Sequence, residues 1–306
     1  MFRFQSERCK VYSDYLRYLR ADVSKVTNIE SIPFLPISFF KEHNVYSGLD
    51  DPEAIFISSG TTGMINSRHS VMSLSLYEES FTRAFRLFYG DPGEYAIMGL
   101  LPSYLEREGS SLIYMVKRLI ELSGNRHSGF FLNDDRQPLP GAIDMARNEG
   151  LKVLLIGVTF ALLDLAEANP CDLSDVIIME TGGMKGRRKE MIREEVHAIL
   201  KAAFNIMSVH SEYGMTELLS QAYSKGEGLF KTPPWMKVLI RDSHDPLSHT
   251  TEPGSSGGIS VIDLANIWSC SFIATSDLGR MHEEGVIEIL GRFDNADIRG
   301  CNLLVS

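Results

Sequence analysis

Ala54-Ile55-Phe56-Ile57-Ser58-Ser59-Gly60-Thr61-Thr62-Gly63 is the stretch on which the reading of this chain turns. Four apolar residues run directly into four hydroxyl side chains and two glycines. A strand that ends in such a loop turns backbone N–H groups and hydroxyls toward one anion, and glycine permits the close approach this needs. Polyphosphate suits that chemistry. A Walker A loop is excluded, because Met64-Ile65-Asn66 follows where a Gly-Lys-Ser/Thr ending is required. Taken alone, the same residues also suit a surface turn rich in small polar side chains, so the company they keep decides between the two.

Outward from the loop, short apolar runs recur at residues 54–58, 95–100, 152–156, 176–179, 206–210, 236–241, 258–262, 272–275 and 286–290, and each reads as a strand. Helical spacing fills most of the early gaps, at 73–88, 110–122, 141–149, 160–168 and 185–204. Near-continuous apolar strands alternating with amphipathic helices imply an α/β fold, mainly parallel sheets layered with helices. Residues 5–20 read as a helix with Tyr12, Tyr15, Leu16 and Leu19 near one face, and Pro33 and Pro36 then impose an extended segment. The last third carries strands and glycines but few helices. We expect an α/β core over 1–230, with a helical segment at 1–30, and a β-rich C-terminal subdomain over 231–306 that completes the ligand site.

Composition narrows the partners. The 306 residues are 44% hydrophobic and 23% charged, as in an ordinary globular protein with a sizeable core. A net charge of −10 argues against nucleic acid and anionic membrane surfaces. The longest apolar run, residues 153–163, is too short to span a bilayer, and the N-terminus shows no signal-type segment. Cys9, Cys171, Cys270 and Cys301 form no CxxC pair and read as free thiols of a reducing compartment, with the cytoplasm as the expected location.

Three further motifs follow the loop. Thr181-Gly182-Gly183 comes directly after the apolar run 176–179, where open α/β sheets bind flat ligands, although a plain strand-to-helix turn reads the same way. In Ser211-Glu212-Tyr213-Gly214-Met215-Thr216-Glu217, a tyrosine can stack on a purine, a threonine can bind a phosphate oxygen and a glutamate can hold Mg²⁺. Each also has a bland role, as core aromatic, N-cap and first-turn acid. Asp277 has the chemistry to accept hydrogen bonds from both ribose hydroxyls, and Arg292 in Gly291-Arg292-Phe293-Asp294 follows 15 residues later. A hairpin would bring the two together; an Asp–Arg surface pair is the alternative.

In this order the four motifs resemble those of the acyl-adenylate-forming superfamily, which includes acyl-CoA synthetases, firefly luciferase and peptide-synthetase adenylation domains. More narrowly the chain resembles the acyl-protein synthetase branch that supplies fatty acid in bacterial bioluminescence, and phenylacetate-CoA ligases. Leu101-Pro102-Ser103-Tyr104-Leu105-Glu106-Arg107-Glu108-Gly109-Ser110-Ser111 is similar to that branch's acyl-pocket region. The resemblance covers about residues 30–306. It implies that Ser58, Ser59, Gly60, Thr61, Thr62 and Gly63 hold the β- and γ-phosphates of ATP. Gly182, Gly183 and Tyr213 with Gly214 would frame adenine, and Thr216 would contact the α-phosphate and the acyl carboxylate. Glu217 would ligate Mg²⁺, Asp277 bind the ribose, Arg292 close on it, and Asp294 act as a hinge.

The chain also departs from the family pattern. Many relatives carry lysine where Asn66 stands, with Arg68 as a possible substitute here. The small C-terminal lid domain and its lysine are expected to be absent, since only 12 residues follow Asp294. Arg68, Arg107, Arg187 and Arg188 are the candidate replacement cations. Three functions compete: ATP-dependent activation of a carboxylic acid, fatty in the nearest branch, followed by acyl transfer to a protein thiol or other acceptor; an inactive nucleotide- or acyl-AMP-binding module serving a partner enzyme; and an acyl-CoA ligase. Cys301 is a candidate acyl acceptor, because the bioluminescence branch is acylated on a cysteine near its C-terminus; a small buried hydrophobe is the other reading. There is no G-x-S-x-G elbow for a serine hydrolase. His244, Asp245 and His249 sit in a segment that reads as a polar turn rather than a metal site.

Overall fold

The computed structural model describes residues 1–59, 65–101, 109–132, 139–182, 188 and 191–293. The strands are β1 (Leu35–Pro36), β2 (Ala54–Ile57), β3 (Arg68–Val71), β4 (Tyr95–Leu100), β5 (Gly129–Phe130), β6 (Lys152–Val158), β7 (Ile177–Thr181) and β8 (His210–Tyr213). After them come β9 (Ala222–Ser224), β10 (Leu229–Lys231), β11 (Met236–Arg241), β12 (His249–Thr250), β13 (Ser256–Asp263), β14 (Phe272–Met281) and β15 (Ile287–Arg292). The α-helices are α1 (Phe2–Arg8), α2 (Lys10–Tyr18), α3 (Phe39–Glu42), α4 (Leu74–Tyr89), α5 (Ser111–Ser123), α6 (Leu139–Asn148), α7 (Thr159–Ala168) and α8 (Arg193–Phe204).

Among the described residues, one 13-stranded sheet runs β12-β11-β13-β14-β15-β10-β9-β8-β7-β6-β4-β5, with β1 alongside β14, while β2 and β3 form a separate hairpin. From β5 to β8 the pairing is parallel. From β8 through β12 every neighbouring pair is antiparallel. The expected α/β architecture is therefore present, with α4 to α8 on the parallel half and the short helices α1 to α3 against the β-rich remainder. The sequence explains the division. Every residue of β4 is buried, as a central parallel strand requires. β14 instead alternates buried and exposed positions, as a strand with one wetter face does.

Two apolar clusters fill the molecule. One joins β4, β6 and β7 to helices α4 to α8 through residues such as Phe81, Ile97, Leu155 and Leu200. The other packs Tyr12, Leu16, Phe34 and Phe40 against Val238, Val261 and Phe272 of the antiparallel half. Each fully buried side chain of this size contributes about 1.5–3 kcal/mol. Serine hydroxyls cap the two helices nearest the loop: Ser73 accepts from Leu76 N at the start of α4, and Ser110 accepts from Ile113 N at the start of α5.

Three expectations need adjustment. The helix over 5–20 is two helices, because Cys9 takes an extended conformation between α1 and α2. The strand anticipated at 206–210 begins at His210 and runs to Tyr213. Ile206 and Val209 are buried apolar residues outside it, while the polar Ser211 and Glu212 are buried within it. The helix anticipated from 185 is described from Arg193.

Candidate active site

The hydroxyl-rich loop is closed at its base by the β2–β3 hairpin. Ser58 N donates to Ser67 O at 3.0 Å, and Ser67 N donates back to Ser58 Oγ at 2.9 Å. Ile57 and Arg68 face each other in the register below that closure. Ser59 and Asn66 are exposed, as is Arg68 at the head of β3. Gly60, Thr61, Thr62 and Gly63 lie outside the described residues, and so do Gly183, Arg107, Arg187, Asp294 and Cys301.

At the carboxyl ends of the parallel strands, Thr181 of β7 stands opposite Glu212 of β8 and bonds its carboxylate through Oγ1. Gly182 follows with φ +72°, a left-handed conformation that glycine alone adopts at no steric cost, and Thr159 Oγ1 donates to its carbonyl at 3.3 Å. Tyr213 ends β8, and its hydroxyl donates to Asp277 Oδ2 at 2.7 Å. Arg292 Nε donates to the other carboxylate oxygen at 3.1 Å, since Asp277 and Arg292 are register partners of β14 and β15. The hairpin expected from the sequence therefore forms, and Asp277 is a buried carboxylate under an exposed arginine. Gly214 leaves no room for a side chain, because a Cβ there would run into the Glu212 carboxylate.

Thr216 and Glu217 follow in a turn. Glu217 is only 5% exposed, and burial pushes its carboxyl above the ordinary range. Ser67, Arg292 and Lys41 oppose that rise. Ser67 at the loop base and Arg292, the partner of Asp277, both favour the charged form of Glu217. Mg²⁺ takes one or two protein carboxylates plus phosphate oxygens, so a buried glutamate beside the base of the hydroxyl-rich segment fits that ion. No group of three His, Cys, Asp or Glu side chains able to cage a metal occurs among the described residues. His244 and Asp245 lie in the expected polar turn, with Asp242 accepting from the backbone N–H of each, but His249 is buried in β12 with Nε2 3.1 Å from Ser260 Oγ.

Several buried polar residues at the site escaped the sequence reading. Glu180 of β7 receives His197 Nε2 at 3.0 Å and Ser211 Oγ at 3.0 Å. Burial raises the Glu180 carboxyl, but His197, Arg193 and Ser211 outweigh it and leave the group below its ordinary range. Asp263, fully buried at the end of β13, accepts from Leu219 N at 2.8 Å and Ser220 N at 3.0 Å, just beyond Glu217. His69 and Asn266 reach the same turn. Their only sequence signal is a polar residue within or just past an apolar strand, which no spacing rule singles out. Arg188, one of the candidate cations, pairs instead with Asp164 and Glu167 of α7.

The fold itself is shared with solved structures. The chain is similar to ATP-bound MatB from Rhodopseudomonas palustris, with a TM-score of 0.57 and 19% identity over 80% of this chain and 49% of that one. It is similar to the luciferase-like enzyme of the mealworm Zophobas morio at TM-score 0.55 and 17% identity, over 81% and 59%. O-succinylbenzoate coenzyme A synthetase from Bacillus subtilis, in complex with ATP and magnesium, gives 0.53 and 18%, over 80% and 51%. The chain thus spans about half the length of the structures it matches. No curated protein sequence matches it. The acyl-protein synthetase LuxE model matches residues 1–306, and the chain belongs to that family.

Proposed function

We propose that this chain activates a carboxylic acid with ATP, releasing pyrophosphate and forming an acyl-adenylate, and then passes the acyl group to a protein thiol or another acceptor. The observation that carries this reading is the convergence on Glu217. Ser67 at the base of the hydroxyl loop and Arg292, which is held by Asp277, come from distant parts of the sequence, yet both bear on the carboxylate of the Thr216–Glu217 turn. Membership of the acyl-protein synthetase family supports the reaction class and favours a fatty acid as substrate.

In this reading Asp277 takes the ribose hydroxyls on its free lone pairs, while Tyr213 and Arg292 hold the carboxylate in place. Gly182 and Gly214 let adenine lie against backbone. The Ser58–Ser67 closure presents the loop to the β- and γ-phosphates. The acid's carboxylate oxygen attacks the α-phosphorus, a P–O bond forms, and the bond to pyrophosphate breaks. Two anions meet in that step, and preorganised donors and cations supply the stabilisation, each typically worth about 10²–10³ in rate. Mg²⁺ bound by Glu217 would neutralise charge building on pyrophosphate. Thr216 is placed to contact the reacting phosphate and carboxylate, and Arg68 adds positive charge beside the loop. The thiol sulfur then attacks the acyl carbon and AMP leaves with the bonding pair.

Pyrophosphate–ATP exchange with straight-chain acids of increasing length tests the proposal. Exchange that depends on the acid and on Mg²⁺ is expected. ATP binding without exchange for any acid would instead identify a nucleotide-holding module.

A further inference from the structure

The turn that carries Thr216 and Glu217 belongs to no helix or strand, so its backbone polar groups need partners from elsewhere. Two of them find fully buried side chains. His69 Nδ1 lies 2.8 Å from Thr216 O, and Asn266 Nδ2 donates to Glu217 O at 2.8 Å. His69 is 1% exposed and Asn266 0%. A carbonyl only accepts, so Nδ1 of His69 carries the proton, and Nε2 accepts from Ser269 Oγ at 3.0 Å. Burial, the dominant influence on this ring, holds it neutral down to about pH 4.

These two carbonyls belong to the peptide planes on either side of the Glu217 Cα. Fixing both planes fixes the direction of its Cα–Cβ bond, and hence the region its carboxylate can reach. His69 of β3 holds the carbonyl before Glu217, while Ser67, just ahead of that strand, favours the charged form of its carboxylate. The platform beneath is anchored in turn. Gln5 of α1 donates to Asn266 O at 2.8 Å and Ile267 O at 3.0 Å, and accepts from Ser271 N at 2.8 Å. Asn266 Oδ1 has no partner among the described residues, and a void of about 10 Å³ lined by His69, Asn266 and Ser269 adjoins it. That is room for about one water.

We propose that His69 and Asn266 are positioning residues for the adenylation step: they aim the Glu217 carboxylate at the Mg²⁺–triphosphate without touching either. This rests on the function proposed above. The test compares His69→Ala, His69→Asn and Asn266→Ala with the unaltered protein, each checked for a folded far-ultraviolet spectrum. Two Mg²⁺ titrations are read, one of pyrophosphate–ATP exchange and one of ATP binding by calorimetry. Outer-shell partners of metal ligands typically contribute about 10–100-fold in metal affinity, so His69→Ala and Asn266→Ala should raise the half-saturating Mg²⁺ by about tenfold or more. KM for ATP at saturating Mg²⁺ should change far less than kcat. The asparagine amide takes the place of Nδ1–H, so His69→Asn should recover most of the Mg²⁺ response. An unchanged Mg²⁺ requirement in both alanine variants would overturn the inference, as would identical behaviour of His69→Ala and His69→Asn. A parent protein that binds ATP with Mg²⁺ but never exchanges pyrophosphate would refute the reaction, while the calorimetric titration would still judge the positioning.

Discussion

Asp277 shows what a single residue must do at this site. Its buried carboxylate is shared by a tyrosine from one half of the sheet and an arginine from the last described strand. Replacing it with alanine removes a charged acceptor, which typically costs about 1.5–3 kcal/mol, or roughly ten- to hundredfold in ATP affinity. Near-normal affinity in a direct titration would contradict the ribose assignment. Glu217→Gln keeps the shape and removes the charge, so Mg²⁺-dependent adenylation should fall and need more Mg²⁺, while ATP binding falls much less. The pH response follows from two buried imidazoles. His69 and His210 are each held down to about 4 from an ordinary 6.5, mainly by burial. The unfolded chain therefore binds more protons than the folded one between these values. Stability is full above about pH 6.5 and falls as the pH drops toward 4, at about 1.4 kcal/mol per pH unit for the fully buried His69. Melting temperatures measured across that window should decline, and His69→Asn should flatten the decline. The motif residues Ser58, Tyr213, Glu217, Asp277 and Arg292 were legible because their chemistry is tied to fixed local patterns. His69 and Asn266 were not, because their roles arise from contacts with residues 147 and 49 positions away in the chain.

At the scale of elements, apolar runs gave some strands directly: β4, buried on both faces, and β11, with Lys237 exposed on one, begin and end where the sequence places them. β8 did not read so well, since two of its buried side chains are polar and are satisfied across the sheet, Ser211 by Glu180 and Glu212 by Thr181. β14 extends past the apolar residues 272–275 because its polar positions alternate with buried ones, a pattern that a search for apolar runs truncates. Glu180 joins β7, β8 and α8 through Ser211 and His197. Glu180→Ala strands both partners in the interior, and a buried polar group left without its partner costs about 1–3 kcal/mol. Denaturant titration should show a midpoint loss of that order. A change below about 0.5 kcal/mol, the range of ordinary surface substitutions, would mean the cluster is solvated.

Across the whole molecule, a parallel half and an antiparallel half share one sheet, and the join between β8 and β9 lies beside the site. The sequence announced both halves but not their continuity, which depends on the short strands β9 and β10, each of three residues. No described helix is long and apolar enough to cross a membrane. The central claim is that segments distant in sequence close around one adenylate. Hydrogen–deuterium exchange with a non-hydrolysable acyl-sulfamoyl adenosine tests it most directly. The account predicts simultaneous slowing in peptides covering Ser58 to Ser67, Tyr213 to Glu217 and Asp277 with Arg292. Slowing confined to one of these, with the others unchanged at saturating analogue, would contradict it.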